Sequence, residues 1–240
     1  MRTIYLHALL AGLLGVSSLS AQSELWNKAC TLADNGSTYL PGKITSIVEE
    51  LNGDGTPKSV IQTVMSLTYD SSGEVSTMEL TQAFRDGKDV TDELRTGKKS
   101  SRNRSAANAG SRIDVSGFDG MLFDAETRKR IRLLPGARWI ERNGRTIGLV
   151  PFDVDMGPMG RMEGSAEIDA LAGVPLVVRM SGGHAPFVKD LSFTMTYEAV
   201  PSRGFVLSGM EVAGSVSVLF TKKAFRDRTI LGDYLELDIR

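Results

Sequence analysis

The chain has 240 residues, 41% hydrophobic and 24% charged, with a formal net charge of −1. This is the make-up of a globular protein, and a charge near zero gives no global attraction to nucleic acid. A single cysteine and two histidines exclude an intramolecular disulfide, a three-histidine zinc centre and a cysteine-rich cluster.

The first residues, MRTIYLHALLAGLLGVSSLSA, carry Arg2, an apolar run from Ile4 to Val16 and small residues ending at Ala21. That is the layout of a secretory signal peptide, and the run is too short for a membrane span. The expectation is a leader over residues 1–21, cleavage near Ala21, and one domain over 22–240 in the periplasm or outside the cell. About 220 residues are enough for a single domain with a real core. No cysteine directly follows the small residues, so a bacterial lipoprotein attachment site is not expected, and Cys30 reads as a small buried hydrophobe.

SELWNKACTLA then places Leu25, Ala29, Leu32 and Ala33 on one helical face with Ser23 as a cap, which predicts a helix at about 23–33. DNGSTYLPG ends it, and KITSIVEEL has the β-branched content of a strand. LNGDGTPKS, which follows, imitates a calcium loop in Asn52, Asp54 and Gly55. With Glu50 as the first ligand, however, the closing position is Ile61 where a bidentate glutamate is required, and Pro57 and Lys58 stand among the ligand positions. The stretch is a hairpin tip, because Asn-Gly and Asp-Gly accept positive φ.

The strand pattern recurs along the chain. In VIQTVMSLTY, Ile61, Met65, Leu67 and Tyr69 share a parity; after DSSG, Met78, Leu80 and Phe84 are expected to share a face. Asp86-Gly87 and Asn143-Gly144 predict two more hairpins. In LSFTMTYEA, Leu191, Phe193, Met195, Tyr197 and Ala199 alternate with Ser192, Thr194, Thr196 and Glu198, giving one dry and one wet face. VSVLF and DYLEL add strands near the end. Many short strands separated by turns, with one helix at the start, predict a mainly β fold, a curled antiparallel sheet or open half-barrel. An outer-membrane barrel is the structural runner-up; against it, the ending LELDIR has no terminal aromatic and charges such as Glu79 and Glu198 interrupt the strands.

One stretch departs from this pattern. Residues 95–112, RTGKKSSRNRSAANAGSR, hold Lys98, Lys99, Arg102 and Arg104 and no apolar residue larger than Ala. They are expected to form a mobile basic loop whose cations can contact an anionic surface. Nearby ETRKRIRLL adds Arg128, Lys129, Arg130 and Arg132, a cationic rim if the two stretches meet.

Catalytic residues are sparse. His184 in SGGHAPF has no G-x-S-x-G elbow to serve, and no phosphate-cradling glycine motif is present. Asp153 and Asp155 in PFDVDMGPMG are two apart, spaced for acid–base or cation work on one strand face or simply flanking a strand end. Met156, Met159 and Met162 are either adaptable apolar lining or gap-filling core. No cofactor, metal or catalytic group is expected.

The order of PGKITSIVEEL, VMSLTYDSSGEVSTMEL, FRDGKDV, AEIDALAGVPLVVRMSG, VKDLSFTMTYEAV and FRDRTILGDYLEL, after a leader and a short helix, resembles periplasmic proteins of the outer-membrane lipoprotein-sorting (LolA/LppX-like) superfamily. The resemblance covers roughly residues 38–237. It implies a strongly curved sheet with helices on its concave face and an apolar cavity for acyl chains, with EIDALAGVPLVVRM as two successive rungs joined by a Gly turn; it also makes a covering helix the alternative for residues 95–112. The expected function is a non-enzymatic, monomeric periplasmic carrier or binding module for a lipid, a lipoprotein acyl chain or a similar amphiphile. Its candidate cavity residues are Met78, Leu80, Phe84, Leu191, Phe193, Met195 and Tyr197. The alternative is a structural or interaction protein of the envelope with a filled core, meeting an envelope protein or an anionic membrane surface.

Overall fold

The structure is a computed structural model that describes residues 20–34, 39–96, 122–157, 160–182, 188–200, 204–218 and 221–236. Helix α1 (20–34) comes first. Twelve strands follow: β1 (Tyr39–Leu51), β2 (Pro57–Tyr69), β3 (Val75–Arg85), β4 (Lys88–Asp89), β5 (Ile131–Leu133), β6 (Arg138–Arg142), β7 (Arg145–Asp155), β8 (Arg161–Asp169), β9 (Pro175–Gly182), β10 (Val188–Val200), β11 (Gly204–Val218) and β12 (Thr221–Glu236); a short helix α2 (Thr91–Thr96) follows β4. They build one sheet in the order β4-β3-β2-β1-β12-β11-β10-β9-β8-β7-β5, with β6 also paired to β7. Every pairing is antiparallel. The sheet is curled and open. Its two meanders, β1–β4 and β7–β12, are joined by the long-range pairing of β1 with β12, from Tyr39↔Glu236 to Leu51↔Ala224.

The turns form where the residues tolerate them. Asp86 (φ 50) and Gly87 (φ 80) connect the Arg85↔Lys88 pair, and Asn143 (φ 53) and Gly144 (φ 72) connect Arg142↔Arg145; these are two-residue hairpins whose twist suits the strands. At the NGDGTP tip, Asp54 Oδ1 accepts from Thr56 N at 2.9 Å and from Thr56 Oγ1 at 2.6 Å, so its carboxylate closes the turn. Asp70 does the same for DSSG, accepting from Ser72 N, Ser72 Oγ and Glu74 N.

Helix α1 lies on the inner face of the sheet. Its apolar stripe, Leu25, Trp26, Ala29 and Cys30, is buried against Val150, Phe152, Val154, Met162, Ala166, Met180 and the dry face of β10, and burial pushes the Cys30 thiol pKa up. Trp26 meets Phe123 at 4.9 Å and Phe152 at 5.5 Å between ring centroids, and Phe123 stacks edge-on against Tyr197 and Phe205. The helix is already formed at residue 20, ahead of the expected start, and includes Gln22, 1% exposed, whose Nε2 donates to Leu134 O at 2.9 Å. Arg128 grips Asp34 at the other end with two bonds of 2.8 and 3.0 Å. Lys28 Nζ donates to Leu171 O in the β8–β9 turn, the predicted acidic-ended rung, where Asp169 Oδ1 accepts from Leu171 N and Ala172 N.

Three expectations change. Residues 95–96 are not loop: they belong to α2, and Arg95 donates to Leu80 O and Thr81 O; residues 97–112, with Lys98, Lys99, Arg102 and Arg104, lie outside the described residues. The basic stretch at 128–132 is not a free rim, because Arg128, Lys129 and Arg132 pair with Asp34, Glu126 and Asp153. Phe84 does not share a face with Met78 and Leu80. The register shifts between Val64↔Gln82 and Met65↔Leu80, and this bulge at Thr81 reverses the side-chain parity. Phe84 lies opposite Gln62 on the outer face, whereas Leu80 and Met78 lie opposite Met65 and Leu67.

Where β7, β8 and β9 crowd beneath α1, Gly164 is required by packing: a Cβ there falls on the Arg179 carbonyl oxygen, with Phe152 Cζ at 2.8 Å and Met180 Cβ at 2.9 Å. Gly164→Ala is expected to destabilise the fold by about 1–3 kcal/mol, the usual range for overpacking, read as a lower urea midpoint with an unchanged slope. An unshifted midpoint would mean that these strands separate freely.

Candidate functional site

The outer face is where the acids find their partners. Glu167 accepts from Arg142 and Arg179 at 2.6 and 2.7 Å, Glu49 from Arg228 and Arg226 at 2.7 and 3.2 Å. Asp153 lies 2.5 Å from Arg132 and 3.5 Å from Arg161, and the Arg132 hydrogen bond holds its carboxyl below the usual carboxylate range. The expected Asp153–Asp155 pair is therefore divided in role: Asp153 is neutralised by arginines, and Asp155 is exposed and accepts from Gly157 N. That geometry leaves no acid–base dyad. Met162 is fully buried core and Met156 packs beside it; Met159 and His184 lie outside the described residues.

The inner face is unevenly covered. One line of directly opposed residues runs across it: Phe152, Gly164, Met180, Phe193, Val212, Asp227, Val48, Ile61 and Arg85. Opposed residues share a face. Phe152, Met180 and Phe193 are 0%, 3% and 8% exposed beneath α1, whereas Val48 beyond it is 39% exposed and Val212 and Ile61 are half-buried. The sequence candidates divide accordingly. Leu191, Phe193, Met195 and Tyr197 are buried in the helix-covered half, packed as core. Met78 is 38% exposed, while half-buried Leu80 packs against the core opposite Met65. Phe225, next along β12 from Asp227 on the same face and opposite Glu50, joins Val212, Val48 and Ile61 in a partly exposed trough of mixed lining that Arg85 ends on β3. A depression of about 480 Å³ at the β3–α2 edge is polar, lined by Thr81, Gln82, Asp89, Thr91, Asp92 and Glu93, and is unsuited to an apolar chain.

Asp227 was not among the sequence candidates. It stands inside the trough between Val212 and Val48, and among the described residues its hydrogen bond is a long one, 3.5 Å from Ser46 Oγ. Burial pushes its pKa up, with Ser46 opposing. FRDRTIL could have flagged it by parity: Phe225, Asp227, Thr229 and Leu231 alternate with arginines, so one acid falls on the dry side.

No family model matches the chain, and no curated protein matches it. Among solved structures, a Vibrio parahaemolyticus domain described as an outer membrane lipoprotein-sorting protein is similar at 10% identity and a TM-score of 0.34, over 88% of this chain and 92% of that one. MucB in the Pseudomonas aeruginosa MucA/MucB complex is similar at 12% identity and a TM-score of 0.24, over 88% and 94%. A structure of MucB with MucA(peri) gives 11% identity and a TM-score of 0.21 over the same shares. Likenesses this weak assign the chain to neither group.

Because the folded-state pKa of Asp227 lies above that of the unfolded chain, its carboxyl favours the folded state below the unfolded value, and this contribution is lost as the pH rises through the folded value. Other charges of the open half, Glu50 with Lys58 and Lys223, and Arg85 with Glu93, are unchanged by substitution at 227. Asp227→Asn is thus expected to raise the thermal midpoint at neutral pH, by about 2–4 °C for each kcal/mol at this chain length, with the gain fading as the pH falls through the carboxyl's raised value. A variant less stable than the parent at neutral pH would contradict this.

Proposed function

We propose that the protein is a non-enzymatic binding module of the cell envelope that holds the apolar chain of a lipid, a lipoprotein acyl group or a similar amphiphile on the open half of its inner face. The observation that carries this reading is the uneven coverage of one apolar surface. Helix α1 fills the β7–β10 half, while Val48 and Met78 keep more than a third of their surface accessible on the other half. Solvent-facing apolar groups are a standing cost in water, and an acyl chain laid against Val48 and its neighbours Ile61 and Val212 removes part of it. The secretory layout of residues 1–21 supports an envelope location, and the pairing of Asp153 and Glu167 with arginines leaves those acids structural.

The second reading, an envelope interaction protein with a filled sheet, is favoured by the packing of Leu191, Phe193, Met195 and Tyr197 under α1. The two are separated by protein purified without detergent. Native mass spectrometry is expected to show a lipid-sized adduct, and the delipidated protein to take up N-phenyl-1-naphthylamine, a neutral apolar fluorophore. Val48→Asn, at an accessible site, is expected to weaken that uptake roughly tenfold by placing an amide in the trough with little change in stability. A clean apo mass together with no fluorophore uptake would leave the filled-sheet reading.

A further inference from the structure

The two faces of the sheet treat their acids differently. On the outer face Glu49, Asp153 and Glu167 each hold two arginines. On the inner face Glu50 holds Lys58 and Lys223, at 2.9 and 3.3 Å, and Arg85 has Glu93 at 3.6 Å. Asp227 alone of these acids has no basic partner among the described residues, although it is half-buried between Val212 and Val48. A carboxylate offers about four lone-pair sites, and here one is met, at 3.5 Å, by Ser46 Oγ. Ser46 and Thr229, 6% and 5% exposed, are opposed on β1 and β12 one step along the same face. The Ser46 hydroxyl stands beside the carboxylate, and Thr229 is the next residue of β12 on the same face.

A carboxylate half-buried between valines is costly unless a cation completes it. We infer that the occupant of the trough is an amphiphile with a primary ammonium head group, seated on Asp227 with Ser46 beside it, its chain lying against Val48, Ile61, Val212 and Phe225. An ammonium group has three N–H donors and no acceptor, which matches a carboxylate with one serine hydroxyl beside it and its other lone-pair sites unmet among the described residues. The charge-assisted bond is stronger than a neutral one, and its shielded place makes it less sensitive to salt than a surface pair. An anionic head group is excluded from this position by repulsion. The inference rests on the reading of the open inner face as a binding surface, and it adds the sign and the hydrogen-bonding character of the head group.

The test uses displacement of N-phenyl-1-naphthylamine from the full protein by dodecylammonium, dodecyltrimethylammonium, dodecanol and dodecanoate, each below its micellar concentration. Dodecylammonium is expected to compete at least roughly tenfold more strongly than dodecanol and dodecanoate, the scale of one charge-assisted bond. Dodecyltrimethylammonium, which has the charge without the N–H donors, is expected to fall between. Asp227→Asn is expected to abolish the preference while dodecanol still competes equally, and because this variant gains stability the loss is not one of folding. Equal competition by all four probes, unchanged in Asp227→Asn, overturns the head-group assignment and leaves an amphiphile site. Failure of every probe, with no fluorophore uptake, overturns the binding surface itself. A preference for dodecanoate overturns the assigned sign.

Discussion

The docking of α1 on the inner face is the contact on which the rest of the molecule depends. A single curled sheet has one apolar face and nothing in its own strands to cover it; the helix supplies Leu25, Trp26, Ala29 and Cys30 to do so. Phe123, 0% exposed and far from α1 in sequence, completes the contact by standing between Trp26, Tyr197 and Phe205. One helix of 20–34 is about 22 Å long at 1.5 Å per residue, whereas twelve strands spaced about 4.8 Å apart make a much wider surface. Among the described residues coverage of β12, β1 and β2 is uneven along the strands: Ile44, Met65, Leu67 and Leu231 are buried in the core, whereas Val48 is 39% exposed.

The opposite face is governed by charge rather than by apolar contact. Arginines on neighbouring strands flank each buried acid, as Arg142 and Arg179 flank Glu167. The heads of Arg132, Arg142, Arg161 and Arg179 are about half or more exposed, so their pairs contribute modestly to stability, whereas Arg226 and Arg228 are more enclosed. Their consequence is for specificity of register: a one-residue slip of β8 against β9 would carry Glu167 to the inner face, away from both guanidiniums. Ion pairs outside and apolar packing inside thus select the same strand alignment, and the agreement of the two is what makes one structure of this sequence.

Asp227 is an exception to both patterns, an acid on the apolar face beyond reach of the arginines that precede and follow it in sequence. Arg226 and Arg228 point outward to Glu49 because alternate residues of a strand face opposite ways. A protein selected for stability alone has no use for such a group. Local conflicts of this kind concentrate at functional positions, and Asp227 stands between Val212 and Val48 with Ser46 Oγ at 3.5 Å.

Much of the fold was legible in the residues because its causes are local. Asn143-Gly144 and Asp86-Gly87 reach positive φ cheaply, so they made hairpins; the alternation from Leu191 to Tyr197 declared a half-buried strand; and Leu25, Ala29 and Leu32 declared an amphipathic helix. The loop-like stretch Asn52–Thr56 was correctly a turn, since the spacing lacked a closing glutamate. The site was less legible. The bulge at Thr81, which moved Phe84 to the outer face, arises from the pairing of β2 with β3 and has no single-strand signature. Whether Phe193 lines a cavity or fills a core depends on where α1 comes to rest, and a dry strand face has the same pattern in either case. The trough around Asp227 is assembled from β11, β12 and β1, and the β1–β12 pairing joins segments from opposite ends of the chain. Sequence by itself determined which residues turn, which alternate and which side of a strand stays dry. The tertiary structure decided which dry sides are covered, because coverage is set by long-range pairing and by where α1 packs.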